Sequence, residues 1–254
     1  MLVEAAIALI AGAFIGSFLT VVAHRVPRGE GIVMGRSRCP QCGEDIAAYD
    51  NVPVVSWLVL RGRCRRCGTP ISATYPLTEA GLGALWAGTV LALGTDDAGE
   101  LTLGLVLCAV LVAITLTDLE RRIIPNAIVG AGGLAGIAIV LGFDLGDLGQ
   151  RAIAVAAAGG AMALIALAYP RGMGMGDVKL ALLLGAGLGR YVMVGLMIGM
   201  LAALLPAVVL LARHGTKARK MAIPFGPFLA FGAIVAFFFG EQLLDAYLGV
   251  FFQR

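Results

Sequence analysis

Long apolar runs dominate the chain, separated mostly by short polar segments. The runs fall at about 2–23, 76–94, 101–118, 127–143, 151–169, 177–189, 191–212 and 224–250. A helix needs about 20 apolar residues to cross a hydrocarbon layer of about 30 Å. The pattern therefore predicts about eight membrane helices, the sixth being short. Gly185, Gly187 and Gly189 inside the sixth predict close helix packing. Tyr191 marks a tight turn into the seventh. One long polar stretch, 25–75, breaks the series. The expected organisation is a first helix over 1–24, a small loop domain over 25–75, and a helical membrane domain over 76–254. There is no internal repeat and no low-complexity linker.

Composition sharpens this picture. The 254 residues are 59% hydrophobic and 14% charged, with a mean hydropathy of +0.93. Soluble domains carry about 25% charge, so the fold class expected is an all-α polytopic membrane protein. Glu4 stands where a secretory signal carries basic residues, and the first apolar run is long for a signal core. That run reads as a retained helix. The net charge of +3 says little about partners, and no nucleic-acid partner is expected. The lipid bilayer is.

The placement of the charges says more. With the N-terminus outside, alternate loops hold Arg25, Arg28, Arg36, Arg38, Arg61, Arg63, Arg65, Arg66, Arg121, Arg122, Arg171, Lys179, Arg213, Lys217, Arg219 and Lys220, sixteen of the 19 basic residues. Only Arg151, Arg190 and Arg254 fall on the other side, whose loops read GTDDAGE and FDLGDLGQ. Basic loops stay in the cytoplasm, so the loop 25–75 is expected there and both chain ends outside.

Four of the five cysteines lie in that loop as Cys39-Pro-Gln-Cys42 and Cys64-Arg-Arg-Cys67, each pair followed by glycine. A Cys-x-x-Cys turn places two thiolates on one metal, and two such turns complete a tetrahedral four-sulfur zinc site. Four thiolates close the coordination shell, so the zinc is structural rather than catalytic. A loop too small for a large core gains from such a staple. A disulfide reading conflicts with the reducing cytoplasm. Arg63, Arg65 and Arg66 offset the thiolate charge. Between the pairs, YDNVPVVSWLVLRGR reads as a turn and a short apolar segment on the membrane surface, with Trp57 at the interface. Cys108, alone in an apolar run, reads as a small buried hydrophobe.

Ionisable groups are few in the membrane part. Asp118 closes the third run in ITLTDLERRIIPN, and Asp177 opens the sixth in GMGMGDVKL. Both fall on the cytoplasmic side. Carboxylates at a membrane edge are costly and mark functional sites. Other readings stand beside this one. Asp177 could cap the sixth helix, the glycines could serve only the turn, and Asp118 could pair with Arg121 or Arg122. A phosphate cradle fits poorly, because no strand precedes the glycines and no Gly-Lys-Ser/Thr follows. Taken together, two carboxylates that cannot both ionise supply a proton holder and a general base on water. Helix dipoles favour the proton on Asp118 and the base role for Asp177. Lys179 reads as a snorkelling anchor or an orienting group. His24 and His214 have no catalytic role, and Pro224 falls near the first turn of the eighth helix.

These motifs together resemble the bacterial type IV prepilin peptidases. The resemblance runs through GSFLTVVAHRVP, CPQCG, CRRCG, YDNVPVVSWLVLRGRC, ISATYPLTE, TDLERRIIPN, GMGMGDVKL and IPFGPFLAFG. Presenilin-like proteases share only the Gly-x-Gly-Asp element. The resemblance implies an enzyme of the bacterial inner membrane that removes a short basic leader from prepilins and pseudopilins at the cytoplasmic face, just before a hydrophobic helix. It implies catalysis by Asp118 and Asp177. It also implies N-methylation of the new N-terminus with S-adenosylmethionine, which is not visible in the residues and whose binding residues the sequence does not name. Thr20 and Ala23 stand where asparagine and a larger apolar residue are usual, and Met175 stands where glycine is frequent. The alternatives are a peptidase without methylation, a transporter using the aspartates as ion sites, and a zinc-stabilised scaffold. Carboxylates at one membrane face count against transport.

Overall fold

The structure is a computed structural model. It describes residues 1–254 except 33–36, 144–147, 171, 216–222 and 253–254, and the side chains of 250–252. The basic positions Arg36, Arg171, Lys217, Arg219, Lys220 and Arg254 lie outside the described residues.

The described residues form nine α-helices and no strand. These are α1 (Leu2–Arg25), α2 (Val55–Val59), α3 (Thr74–Leu93), α4 (Ala98–Arg121), α5 (Asn126–Gly142), α6 (Leu148–Ala168), α7 (Met175–Leu188), α8 (Val192–His214) and α9 (Gly226–Phe252). Eight coincide with the eight apolar runs, and α2 is the short segment of the polar loop. Six stretches are long and apolar enough to cross a membrane. One of them, Met175–His214, contains both α7 and α8, while α5 has 17 residues. Many large apolar side chains face outward, among them Leu2, Phe14, Leu134, Ile153, Leu164 and Leu205. That is the surface expected of a multi-pass membrane protein in lipid. The Gly189–Tyr191 turn is a short 3-10 helix.

The chain divides into two compact units, Met1–Asp97 and Ala98–Arg254. In the first, α3 lies along α1, so it shares a unit with the cysteine loop. Small residues set this packing. A Cβ on Gly12 would lie 2.9 Å from Gly83 Cα, one on Gly16 2.9 Å from Glu79 Cα, and one on Gly83 2.6 Å from Leu9 O. Lipid tails are as apolar as leucine, so close backbone approach is what joins such helices. Gly83→Val is expected to lower stability by about 1–3 kcal/mol, read as a drop in thermal unfolding temperature in detergent. Gly81→Ala, where a Cβ would meet nothing within 4 Å, is the control and stays near wild type.

The second unit is built from the pairs α6–α7, α8–α9 and α4–α5, with α7 and α4 also against α9. Gly185 faces the Val155 backbone, where a Cβ would come within 2.6 Å of its Cα, and Gly187 faces the Leu107 side chain. Gly189 differs from the expectation of close packing. It has open space around it and a φ of +54°, so it serves the turn, where a left-handed backbone favours glycine. Gly199 of α8 sits against the start of α9, where a Cβ would approach Phe228 O to 2.8 Å.

Candidate active site and cysteine centre

The two cysteine turns are built alike. Cys39 N–H donates to Glu44 O at 3.0 Å and Gly43 N–H to Cys39 O at 2.8 Å. Cys64 N–H donates to Thr69 O at 2.9 Å and Gly68 N–H to Cys64 O at 2.9 Å. An isolated antiparallel bridge closes each turn, Arg38 to Asp45 and Arg63 to Pro70. Gly43 and Gly68 have φ of +71° and +72°, which explains the glycine after each pair. The four sulfurs lie within 4.8 Å of one another, and Cys39 Sγ is 3.7 Å from Cys67 Sγ. Tetrahedral zinc–sulfur bonds of about 2.3 Å put sulfurs about 3.8 Å apart, so the donor set fits a metal ion. No disulfide joins the cysteines.

Around this centre two details differ from the sequence reading. Arg65 forms a forked pair with Asp50 at 2.6 and 2.8 Å, and Arg66 pairs with Glu44 at 2.8 Å. Their guanidinium groups are engaged by carboxylates rather than by the sulfurs. Trp57 is half-buried, donating its indole N–H to Ile71 O at 3.1 Å, with its ring against Gly62. The side chains that α2 leaves exposed are Val55, Leu58 and Val59. The loop is tied to α3 by buried Glu79, which accepts the Val54 N–H at 2.7 Å. Val54 has a φ of +61°, a strained conformation for a β-branched residue.

In the second unit, Asp118 and Asp177 are carried by α4 and α7, two helices that touch. Asp118 lies in the last turn of α4, which Arg122 ends with a φ of +56° and an N–H donated to Asp118 O at 2.8 Å. Its side chain is only 5% exposed. Asp177 lies in the first turn of α7. It is not the cap residue itself: Gly174 is the N-cap, and Asp177, three residues on, accepts the Gly174 N–H at 3.1 Å. That is the reciprocal half of a capping box. Gly176 lets α7 start against Ile124, to whose Cβ a Cβ there would come within 3.0 Å. Neither carboxylate forms an ion pair within 4 Å among the described residues, so neither Arg121 nor Arg122 closes a direct salt bridge on Asp118. Arg121 instead lies 3.9 Å from Glu120.

Sequence reasoning missed the partner of Asp118. Gly226, the first residue of α9, donates its N–H to Asp118 Oδ2 at 2.8 Å. Both aspartates thus accept an N–H from a helix start, and the split of roles drawn from the α4 dipole loses its basis. Lys179 donates to Asn126 Oδ1 at 2.8 Å, linking α7 to the start of α5. The other end of α7 is held by Arg151, which donates to Ala186 O at 3.0 Å and pairs with Glu100 at 2.7 Å.

A four-cysteine loop in one unit, and in the other a helix end and a helix start that each carry an aspartate, are features of a polytopic membrane protein that comparison with known sequences places among peptidases. The Bacterial Peptidase A24 N-terminal domain matches residues 10–93, and the Type IV leader peptidase family matches residues 105–212. The chain belongs to the type IV leader peptidase family. A prepilin leader peptidase/N-methyltransferase of Burkholderia pseudomallei is 34% identical over 271 residues, covering 93% of this chain and 86% of the relative. Proteins of the same description from Myxococcus xanthus and Aeromonas hydrophila are 40% and 34% identical. They cover 79% and 92% of this chain, and 62% and 90% of their own lengths. No solved structure matches.

Proposed function

We propose that this chain is a membrane aspartic endopeptidase of the bacterial inner membrane that removes the basic leader from prepilin-like proteins at the cytoplasmic face. What supports this reading is the placement of Asp118 and Asp177 on two touching helices, at the end of α4 and the start of α7. One carboxylate holds a proton and the other is ionised, because two adjacent charges disfavour each other. The ionised group takes a proton from water as its oxygen attacks the scissile carbonyl carbon. The protonated group donates a hydrogen bond to the carbonyl oxygen. Collapse of the tetrahedral adduct breaks the C–N bond, and the leaving amine takes a proton from the dyad.

The position of the dyad suits a cut beside a hydrophobic helix. At 1.5 Å per residue, the 14 residues of α7 span about 21 Å, short of a hydrocarbon layer of about 30 Å. A substrate helix lying in the bilayer brings its polar junction to the Asp177 end of α7.

The cysteine centre supports structural zinc on Cys39, Cys42, Cys64 and Cys67. N-methylation of the new N-terminus, with S-adenosylmethionine as donor, follows from the relatives' description. The purified chain in detergent is expected to shorten a peptide made of a basic leader, a glycine and a hydrophobic helix, seen as the leader mass released. With labelled S-adenosylmethionine present, the label is expected on the new N-terminus. Intact peptide would overturn the peptidase reading, and cleavage without label would leave a peptidase that does not methylate.

A further inference from the structure

We propose that Gly226 is the positioning residue of the dyad: its backbone N–H, at the start of α9, holds Asp118 in its working orientation, and its missing side chain makes the room. The inference rests on the peptidase reading above. The local sequence Phe225-Gly226-Pro227-Phe228 leaves few donors at this helix start. Pro227 has no N–H. Phe228 and Leu229 both spend theirs on Phe225 O, at 3.1 and 3.2 Å. The Gly226 N–H is one of the donors that a helix start leaves without an intrahelical partner, and it goes to Asp118 Oδ2.

The contact fixes one carboxylate oxygen and leaves Oδ1 with no protein partner among the described residues. Asp177 is held in the same manner, with Oδ2 on the Gly174 N–H. Each aspartate thus has one oxygen tied to a helix start, and Asp118 keeps the other for water and substrate. A shared proton and a shared water need that arrangement.

Space separates the two supports. A Cβ on Gly226 would lie 2.9 Å from Asp118 Oδ2 and 3.3 Å from its Cβ and Cγ, so the carboxylate itself would have to move. The φ of Gly226 lies outside the left-handed range, so the demand is for room and not for an unusual backbone. A Cβ on Gly174 would lie 3.5 Å from Asp177 Oδ2, an ordinary contact.

The test compares Gly226→Ala, Asp118→Asn and, as control, Gly160→Ala in α6, where a Cβ would meet nothing within 4 Å, in the full chain, purified in detergent, on the prepilin-like peptide. Displacement of a reacting group by about 1 Å costs on the order of 100-fold in rate. Gly226→Ala is expected to lose about that much in kcat with KM nearly unchanged, while Gly160→Ala stays close to wild type. Wild-type kcat in Gly226→Ala, or a loss carried by KM alone, overturns the proposal. Full activity in Asp118→Asn would instead overturn the peptidase reading beneath it. A second measurement needs no folded Gly226 variant. In the wild-type chain with labelled glycine, the Gly226 amide proton is expected far downfield, as for an N–H on a carboxylate, and to move upfield in Asp118→Ala. A Gly226 amide indifferent to Asp118→Ala overturns the proposal.

Discussion

Asp118→Asn and Asp177→Asn are each expected to lower leader cleavage by about 1,000-fold or more, and the double variant is expected to be no slower than either single. Asparagine keeps the size and the acceptor oxygen, so the Gly226 and Gly174 N–H contacts survive. What goes is the capacity to take a proton from water or to give one to the leaving amine, a capacity worth on the order of 100- to 10,000-fold for one positioned group. The two carboxylates act as one unit, and groups that act as a unit show strongly non-additive losses. Steady-state cleavage of the prepilin-like peptide by the three variants checks this. Losses that multiply in the double variant would show two separate sites. The same variants should unfold at temperatures near wild type, because neither aspartate has an ion pair to lose among the described residues.

The second large effect is expected at the cysteine centre. Cys39→Ser replaces a thiolate by a hydroxyl that ligates zinc weakly, and a structural zinc site contributes folding free energy outright. Bound zinc should fall from about one ion per chain to near zero, measured by elemental analysis of the purified protein. The loop 25–75 should then become sensitive to limited proteolysis, since among its described residues the regular structure between α1 and α3 is two single-bridge turns, two short 3-10 segments and α2. Zinc retained at full stoichiometry in Cys39→Ser would contradict the four-sulfur site. Cys108→Ser is the control and should keep the zinc. That thiol is buried within α4, away from the cysteine loop in sequence and in the other compact unit.

Much of this architecture is legible in the sequence because a membrane simplifies the problem. Apolar runs must become helices there, since backbone groups in lipid have no other partner. The eight helices accordingly fall within a few residues of the eight runs. The cysteine turns are legible because their chemistry is local: two sulfurs four positions apart and a glycine that takes a positive φ. The pairing of the aspartates is legible at one remove, through the loop charges that put both on one side.

What escapes the sequence is contact between distant segments. Gly226 and Asp118 are 108 residues apart, and in the sequence Gly226 is only a small residue near the start of the eighth run. Val54 and Glu79 meet through a strained turn that no periodicity announces. Trp57 looks like an interfacial aromatic in a hydrophobic segment, but the Ile71 carbonyl draws its indole inward. The arginines near the cysteines look like counter-charges for sulfur until Asp50 and Glu44 prove to be nearer partners. Each case turns on a side-chain choice among several local partners, which tertiary structure alone decides.

On the proposed function, the carboxylates of Asp118 and Asp177 form one water-activating site that cuts the leader. The most direct measurement is a time course of prepilin-like peptide mass with purified wild type and Asp177→Asn side by side in the same detergent. A single cut at the leader junction by wild type, and intact peptide with Asp177→Asn, is the predicted result. Equal cutting by both proteins, or none by wild type, would contradict it.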